Sequence, residues 1–155
     1  MSTCTPTSSP STRRSLQGQQ SSQSWNLDLR LLEGELAVCR LNARSPIPPW
    51  AMAGTGFVSI TRTADELSIV CPEEFVPADA KCVRNWKAFK VAGPFDFALT
   101  GILVSVARPL NEAGISILAI STYDTDYVMV RSKDAEKAVA TLKSAGHSVH
   151  VDQDQ

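Results

Sequence analysis

"KCVRNWKAFKVAGPFDFALTGILVSVARPLNEAG", residues 81–114, changes its hydrophobic period part-way along. The first part, "KCVRNWKAFKVAG", reads as a long strand that Gly93-Pro94 brings to a stop. Beyond it, apolar or small residues recur at 97/98, 101/102, 105/106 and 109/110, the spacing of one helix face. Asp96 is placed to cap that helix, its carboxylate accepting from the free N–H groups of the first turn. Pro109 predicts a kink or the loss of the last turn, because it offers no N–H and its ring crowds the preceding turn. Gly114 suits the residue just past the helix end, where φ is positive.

Downstream, "ISILAIST" and "DYVMVR" read as the two arms of a hairpin. Ser132 is expected to cap "KDAEKAVATLKSAG", in which Ala135, Ala138, Val139 and Leu142 make an apolar stripe and Gly146 ends the helix. "HSVHV" is a last short strand. From Trp86 the order is therefore strand, helix, strand, strand, helix, strand, the ferredoxin-like split βαβ with both helices on one face of an antiparallel sheet.

Upstream, the same rhythm returns with its helices worn down. "LDLRLLEG" breaks at Gly34 and "ELAVCRL" follows as a strand. The Pro-rich "SPIPPW" can open a short helix at Pro48 or Pro49, where proline is tolerated. "GFVSITRT" and "LSIVCPEE" form a hairpin, and "FVPADA" is too short for more than a turn of helix. The fold class expected is α+β, with two ferredoxin-like (βαββαβ) modules at residues 25–84 and 85–152, the N-terminal one reduced in helix. They either share one continuous sheet or pack side by side.

Residues 1–24 are Ser, Thr, Gln and Pro, with Arg13 and Arg14 as the only charges. Such a segment has too little apolar surface to offset its ordering entropy, so a disordered tail is expected. A mitochondrial presequence would need an amphipathic helix, and Leu16 is almost the only apolar residue available to build one.

The remainder can bury a real core, with 43% apolar and 20% charged residues over the 155-residue chain. A formal net charge of −1 gives no electrostatic footprint for nucleic acid or an anionic membrane. No apolar run approaches the roughly 18–20 residues of a membrane span. Cys4, Cys39, Cys71 and Cys82 form no C-x-x-C pair, and in strand-like runs such thiols behave as small hydrophobes. Without a secretory h-region at the start, the expected setting is a reducing cytoplasm.

"GPFDFALTGILVSVARPLNEAGISILAISTYDTDYVMVRSKDAEKAVATLKSAGH", together with "ITRTADELSIVCPEEFVP", resembles the ACT domain family. More narrowly, it is similar to small tandem-ACT proteins related to the cytosolic arginine sensors of animal growth signalling, over about residues 29–150. The resemblance implies a free amino acid held between ACT modules, against an edge of the N-terminal half. It implies Ser68, Ile69 and Val70, Asp96 and Phe97, and Thr122 and Asp126 as the contacts. A helix N-terminus near Gly93–Leu99 would supply N–H donors and the neighbouring strand the acceptors.

Each residue also has a plainer reading. Asp96 can be only a cap, Asp126 a turn aspartate bonding its own backbone, and Thr122 and Ser68 strand ends. Asp124 and Asp126 spell D-x-D, which alone is too short to indicate a metal and a nucleotide sugar. His147 and His150 read as edge-strand or tail histidines, since i and i+3 on a strand point to opposite faces. Trp86, Phe89, Phe95 and Phe97 read as core. Neither metal nor cofactor is expected, and no G-x-S-x-G, phosphate loop or Cys–His pair suggests catalysis. The expectation is a non-catalytic, regulatory, homodimeric amino-acid binder with a possible protein partner. A structural adaptor without ligand, or a small accessory enzyme, remains open.

Overall fold

A computed structural model describes residues 25–93 and 100–152; the expected tail, and Phe95, Asp96 and Phe97, lie outside the described residues. The strands are β1 (Asp28–Leu31), β2 (Leu36–Leu41), β3 (Ser59–Arg62), β4 (Leu67–Pro72), β5 (Cys82–Val91), β6 (Ile117–Ser121), β7 (Asp126–Arg131) and β8 (Ser148–Val151). The helices are α1 (Ile102–Glu112) and α2 (Ala135–Ser144), with 3-10 turns at Pro49–Met52, Glu73–Phe75 and Ser132–Asp134. All eight strands join one sheet.

β5 carries this architecture. Trp86 is paired with Leu36 of β2 and with Arg131 of β7, whereas Phe89 is paired with Leu31 of β1 and with Val128 of β7. One edge of β5 therefore belongs to β7, and β1 and β2 lie end to end along the other. Between them the chain jogs at Gly34, whose φ is +76°. From β2 the sheet extends to β4 and β3, and from β1 it extends to β8. β6 pairs with the far edge of β7. The start of β5 thus serves the N-terminal half and its end serves the C-terminal half. All pairings are antiparallel except β1 with β8, which run parallel.

A bulge makes this sharing workable. Between the Leu36–Trp86 and Val38–Val83 pairs, two steps on β2 face three on β5. Asn85 lies in that bulge with φ +65°. Alternation from Phe89 alone would put Cys82 on the opposite face of the sheet. The inserted residue reverses the parity, so Cys82 packs beside Cys39 on the same face as Phe89.

That face carries both halves of the core. Leu29, Phe89, Val91, Val128 and Val130 pack under Ile102, Val106 and Leu110 of α1 and Ala138 and Leu142 of α2. In the N-terminal half, Cys39, Leu67, Ile69 and Cys71 pack with Ala51 of the first 3-10 turn and Val76, and the partly buried Trp50, Val58 and Ala80 lie against them. The opposite face has its own apolar cluster, Leu36, Val70, Ala88 and Met129, against which Phe57 and Trp86 pack.

Three local expectations need correction. α1 begins at Ile102 with Gly101 as its N-cap at φ +82°, so Asp96 is not the cap of the described helix. The left-handed conformation of Gly101 sets the start of α1, which the apolar spacing alone could not reveal. Ser132 does not cap α2: a 3-10 turn intervenes, Asp134 takes the N-cap position, and the Ser132 hydroxyl is buried without a hydrogen-bond partner. Pro109 lies inside a continuous α1 and does not split it.

His147 explains why Pro109 is accommodated. Without an N–H at Pro109, the Ser105 carbonyl loses its helical partner. His147 Nε2 donates to that carbonyl at 2.8 Å, while Nδ1 accepts from Leu27 N–H at 3.1 Å. The two bonds fix the Nε2–H tautomer, because a backbone N–H can only donate. His147 is accordingly buried, not a tail or edge residue, whereas His150 is exposed on β8.

Two outcomes test this account. Asn85→Gly should leave stability nearly unchanged, whereas Asn85→Val should cost about 1–2 kcal/mol by forcing a branched side chain into the left-handed region. His147→Leu should cost about 2–4 kcal/mol by leaving two buried backbone groups unpaired, and adding Pro109→Ala should restore part of that loss. Urea midpoints at constant m measure both.

Candidate functional site

The β6–β7 hairpin stands at the end of the sheet where β5 leaves toward α1. Its tip is held by its own polar groups. Thr122 N–H donates to the Thr125 carbonyl at 2.8 Å, and the Thr122 hydroxyl donates to the same oxygen at 2.9 Å. The Thr122 hydroxyl also accepts from Thr125 N–H at 3.3 Å. Thr125 is buried, and its hydroxyl donates to the carbonyl of Val91 at the end of β5. The tip is thereby tied to the chain segment that leads into α1. Thr125 was not singled out by sequence reasoning, although the Thr-x-x-Thr spacing in "STYDTDY" carried the signal.

β7 begins at Asp126, so Asp124 lies in the exposed turn and Asp126 on the strand. One Asp126 oxygen accepts from the Ser121 hydroxyl, its partner directly across the hairpin. Asp126 shares the helix-bearing face with Val128 and Val130, while Tyr127 turns to the other face. There the Tyr127 ring lies 4.7 Å from that of Phe57. Thr122 and Asp126 are thus brought together.

Ser68, Ile69 and Val70 are elsewhere. They lie in the middle of β4, which is paired on both sides, with β2 and with β3. Ile69 and Val70 are buried, so only Ser68 offers a partly exposed side chain. The outer edge of this half is β3, not β4. Val70 aligns through Val38 with Val83, whereas Asp126 is one step beyond the Tyr127–Lys90 pair. From Val83 to Lys90 the shared strand runs about 23 Å at roughly 3.3 Å per residue. Within one chain the two groups do not meet.

The helix-free face holds a second feature that sequence reasoning missed. A cleft of about 1340 Å³ runs from Glu73 and Phe75 past Leu36 and Ala88 to Lys90 and Tyr127. The Leu36–Pro72 pair brings Glu35 and Glu73 together at one end, where Glu73 N–H donates to the Glu35 carbonyl at 3.0 Å. Arg84 Nη1 stands 3.9 Å from the Glu73 carboxylate, which also accepts from Asn85 N–H at 3.1 Å. Among the described residues, no group of three His, Cys, Asp or Glu is placed to hold a metal ion. Nor is any helix there long and apolar enough to cross a membrane.

Comparison with known proteins fits this geometry. The family model of the ACT domain matches residues 81–144, and a second model, described as an N-terminal domain, matches residues 34–79. Over 97 residues the chain is 32% identical to the cytosolic arginine sensor for mTORC1 subunit 1 of Bos taurus. That match takes in 56% of this chain, and the chain spans about 30% of the length of the sensor. A crystal structure of an Agrobacterium tumefaciens protein is 46% identical, with a TM-score of 0.79, over 84% of this chain and 97% of that one. The aspartate kinase of Clostridium acetobutylicum shares the fold alone, at 15% identity and a TM-score of 0.54, over 73% of this chain and 33% of the kinase. Helix placement and sequence agree over residues 81–144: this C-terminal part of the chain belongs to the ACT domain family, and the chain is related to the cytosolic arginine sensors.

Proposed function

We propose that this chain is a non-catalytic regulatory module of the cytoplasm that binds a free amino acid at the interface between ACT modules. Binding is read out as a change in assembly or in contact with a protein partner. The observation that carries the reading is the hairpin tip. Its own hydrogen bonds hold Thr122 and Asp126 in place beside the end of β5, in a chain related to arginine sensors. A free amino acid presents an ammonium and a carboxylate on adjacent bonds, so its site needs an anionic acceptor and donors close together. Asp126 supplies the acceptor, and Asp96 and Phe97, which lie outside the described residues, are the further contacts proposed.

The separation of β4 from the tip favours a site completed by a second copy, whose Ser68, Ile69 and Val70 approach from across the interface. Among the described residues, β3, β6 and β8 present strand edges without a partner strand, and pairing across a two-fold axis would cover such an edge. A ligand that binds the paired state more tightly than the separate chains shifts the population between them.

Sedimentation of the full chain at tens of micromolar should show a dimer; a monomer there would count against the shared site. Titration calorimetry against the twenty amino acids should identify a ligand, and silence across the set would favour a structural adaptor. With that ligand, Asp126→Asn should lower affinity by about one to two orders of magnitude, since a charge-assisted hydrogen bond is worth roughly 1.5–3 kcal/mol. Asp124→Asn, in the exposed turn, should bind as wild type does. Equal binding by Asp126→Asn would remove this residue from the site.

A further inference from the structure

Three thiols that the proposed function does not use converge in the N-terminal half of the core. Cys39 of β2 is directly opposite Cys82 of β5, and Cys71 of β4 is opposite Ala37, one diagonal step from Cys39. The Cys39 thiol is thus flanked by Cys82 on one neighbouring strand and Cys71 on the other. All three are free.

We propose that Cys39 and Cys82 form a peroxide-responsive pair that closes into a cross-strand disulfide, fastening β2 to the start of β5. The ladder supplies the geometry. Arg40 N–H donates to the Lys81 carbonyl at 3.0 Å, which makes Cys39–Cys82 a non-hydrogen-bonded pair of the antiparallel ladder. In such pairs the Cα atoms approach to about 4.5 Å, inside the range that a disulfide bridges. The diagonal between Cys39 and Cys71 is about 7–8 Å, beyond the usual bridging span. Cys82 is therefore the partner, and Cys71 the bystander.

Access sets the order of events. Cys39 and Cys71 are buried, whereas Cys82 is half-buried and reaches solvent. Burial, with smaller contributions from the neighbouring thiols, pushes the Cys39 thiol up to about 12, and burial raises Cys71 as well. Neither is a ready nucleophile toward an outside oxidant, because the thiolate is the reactive form. Hydrogen peroxide meets Cys82 first: its O–O bond breaks, Cys82 becomes a sulfenic acid, and one water leaves. The Cys39 sulfur, already at hand, then attacks the Cys82 sulfur. The S–O bond breaks, and the departing hydroxyl takes the Cys39 proton as a second water. Two thiols have lost two electrons and two protons to the peroxide, with no further reactant needed.

The full chain carrying Cys4→Ser tests this. After hydrogen peroxide treatment, denaturing alkylation should find two fewer reactive thiols, and a non-reducing peptide map should join the Cys39 and Cys82 peptides. Closing a ring over residues 39–82 should also raise the melting temperature by about 5–10 °C, reversibly with dithiothreitol. Cys71→Ser should leave the cross-link intact, while Cys39→Ser or Cys82→Ser should abolish it. The peptide map on the Cys4→Ser chain decides the matter even if a core variant folds poorly. Three thiols still alkylated after peroxide, a bridge to Cys71, or Cys82 driven to sulfinic acid without a cross-link would each overturn the assignment.

Discussion

The fold depends on one strand serving both halves of a single sheet. β5 cannot satisfy both halves with a uniform pleat, because its two ends bury side chains against different layers. The bulge at Asn85 resolves this by inserting a residue and reversing which side chains face the helices. Backbone geometry at a single exposed position thus fixes the relation between the modules. The collinear β1 and β2 follow the same division on the facing edge, with Gly34 absorbing their offset.

Most of this was legible in the sequence because the periodicities were strong. The change from strand to helix spacing after Gly93 revealed the C-terminal module, and the paired apolar runs on either side of Asp65 and Asp124 revealed both hairpins. Less legible was anything set by a partner distant in sequence. Nothing local marks β1 as the neighbour of β8, since a four-residue strand carries no record of whom it pairs with. Pro109 reads as a break only while His147 is unseen; once the imidazole takes over the orphaned carbonyl, the helix can continue. Conversely, Gly101 looked like one more small residue on an apolar face, and only its positive φ shows that it opens the helix.

The candidate site was legible in part for the same reason. Thr122 and Asp126 are neighbours along the chain, so one hairpin brings them together. Ser68, Ile69 and Val70 were joined to them by resemblance alone, and the shared strand now separates the two groups by several turns of pleat. The acidic end of the helix-free cleft escaped notice because Glu35 and Glu73 become neighbours only through the pairing of β2 with β4. Residue type announced none of this; register did.

The parallel pairing of β1 with β8 has a consequence for synthesis. It joins Asp28 to Ser148, so a chain emerging from the ribosome displays β1 long before its outer neighbour exists. Until then the N-terminal half can pair β2, β3 and β4, but the two-module sheet lacks its last strand and α1 lacks the imidazole that completes it. Folding of the second module therefore waits for β8, with contacts of high sequence separation as its closing step. Loss of β8 would thus be felt far upstream in the chain, in the packing of β1.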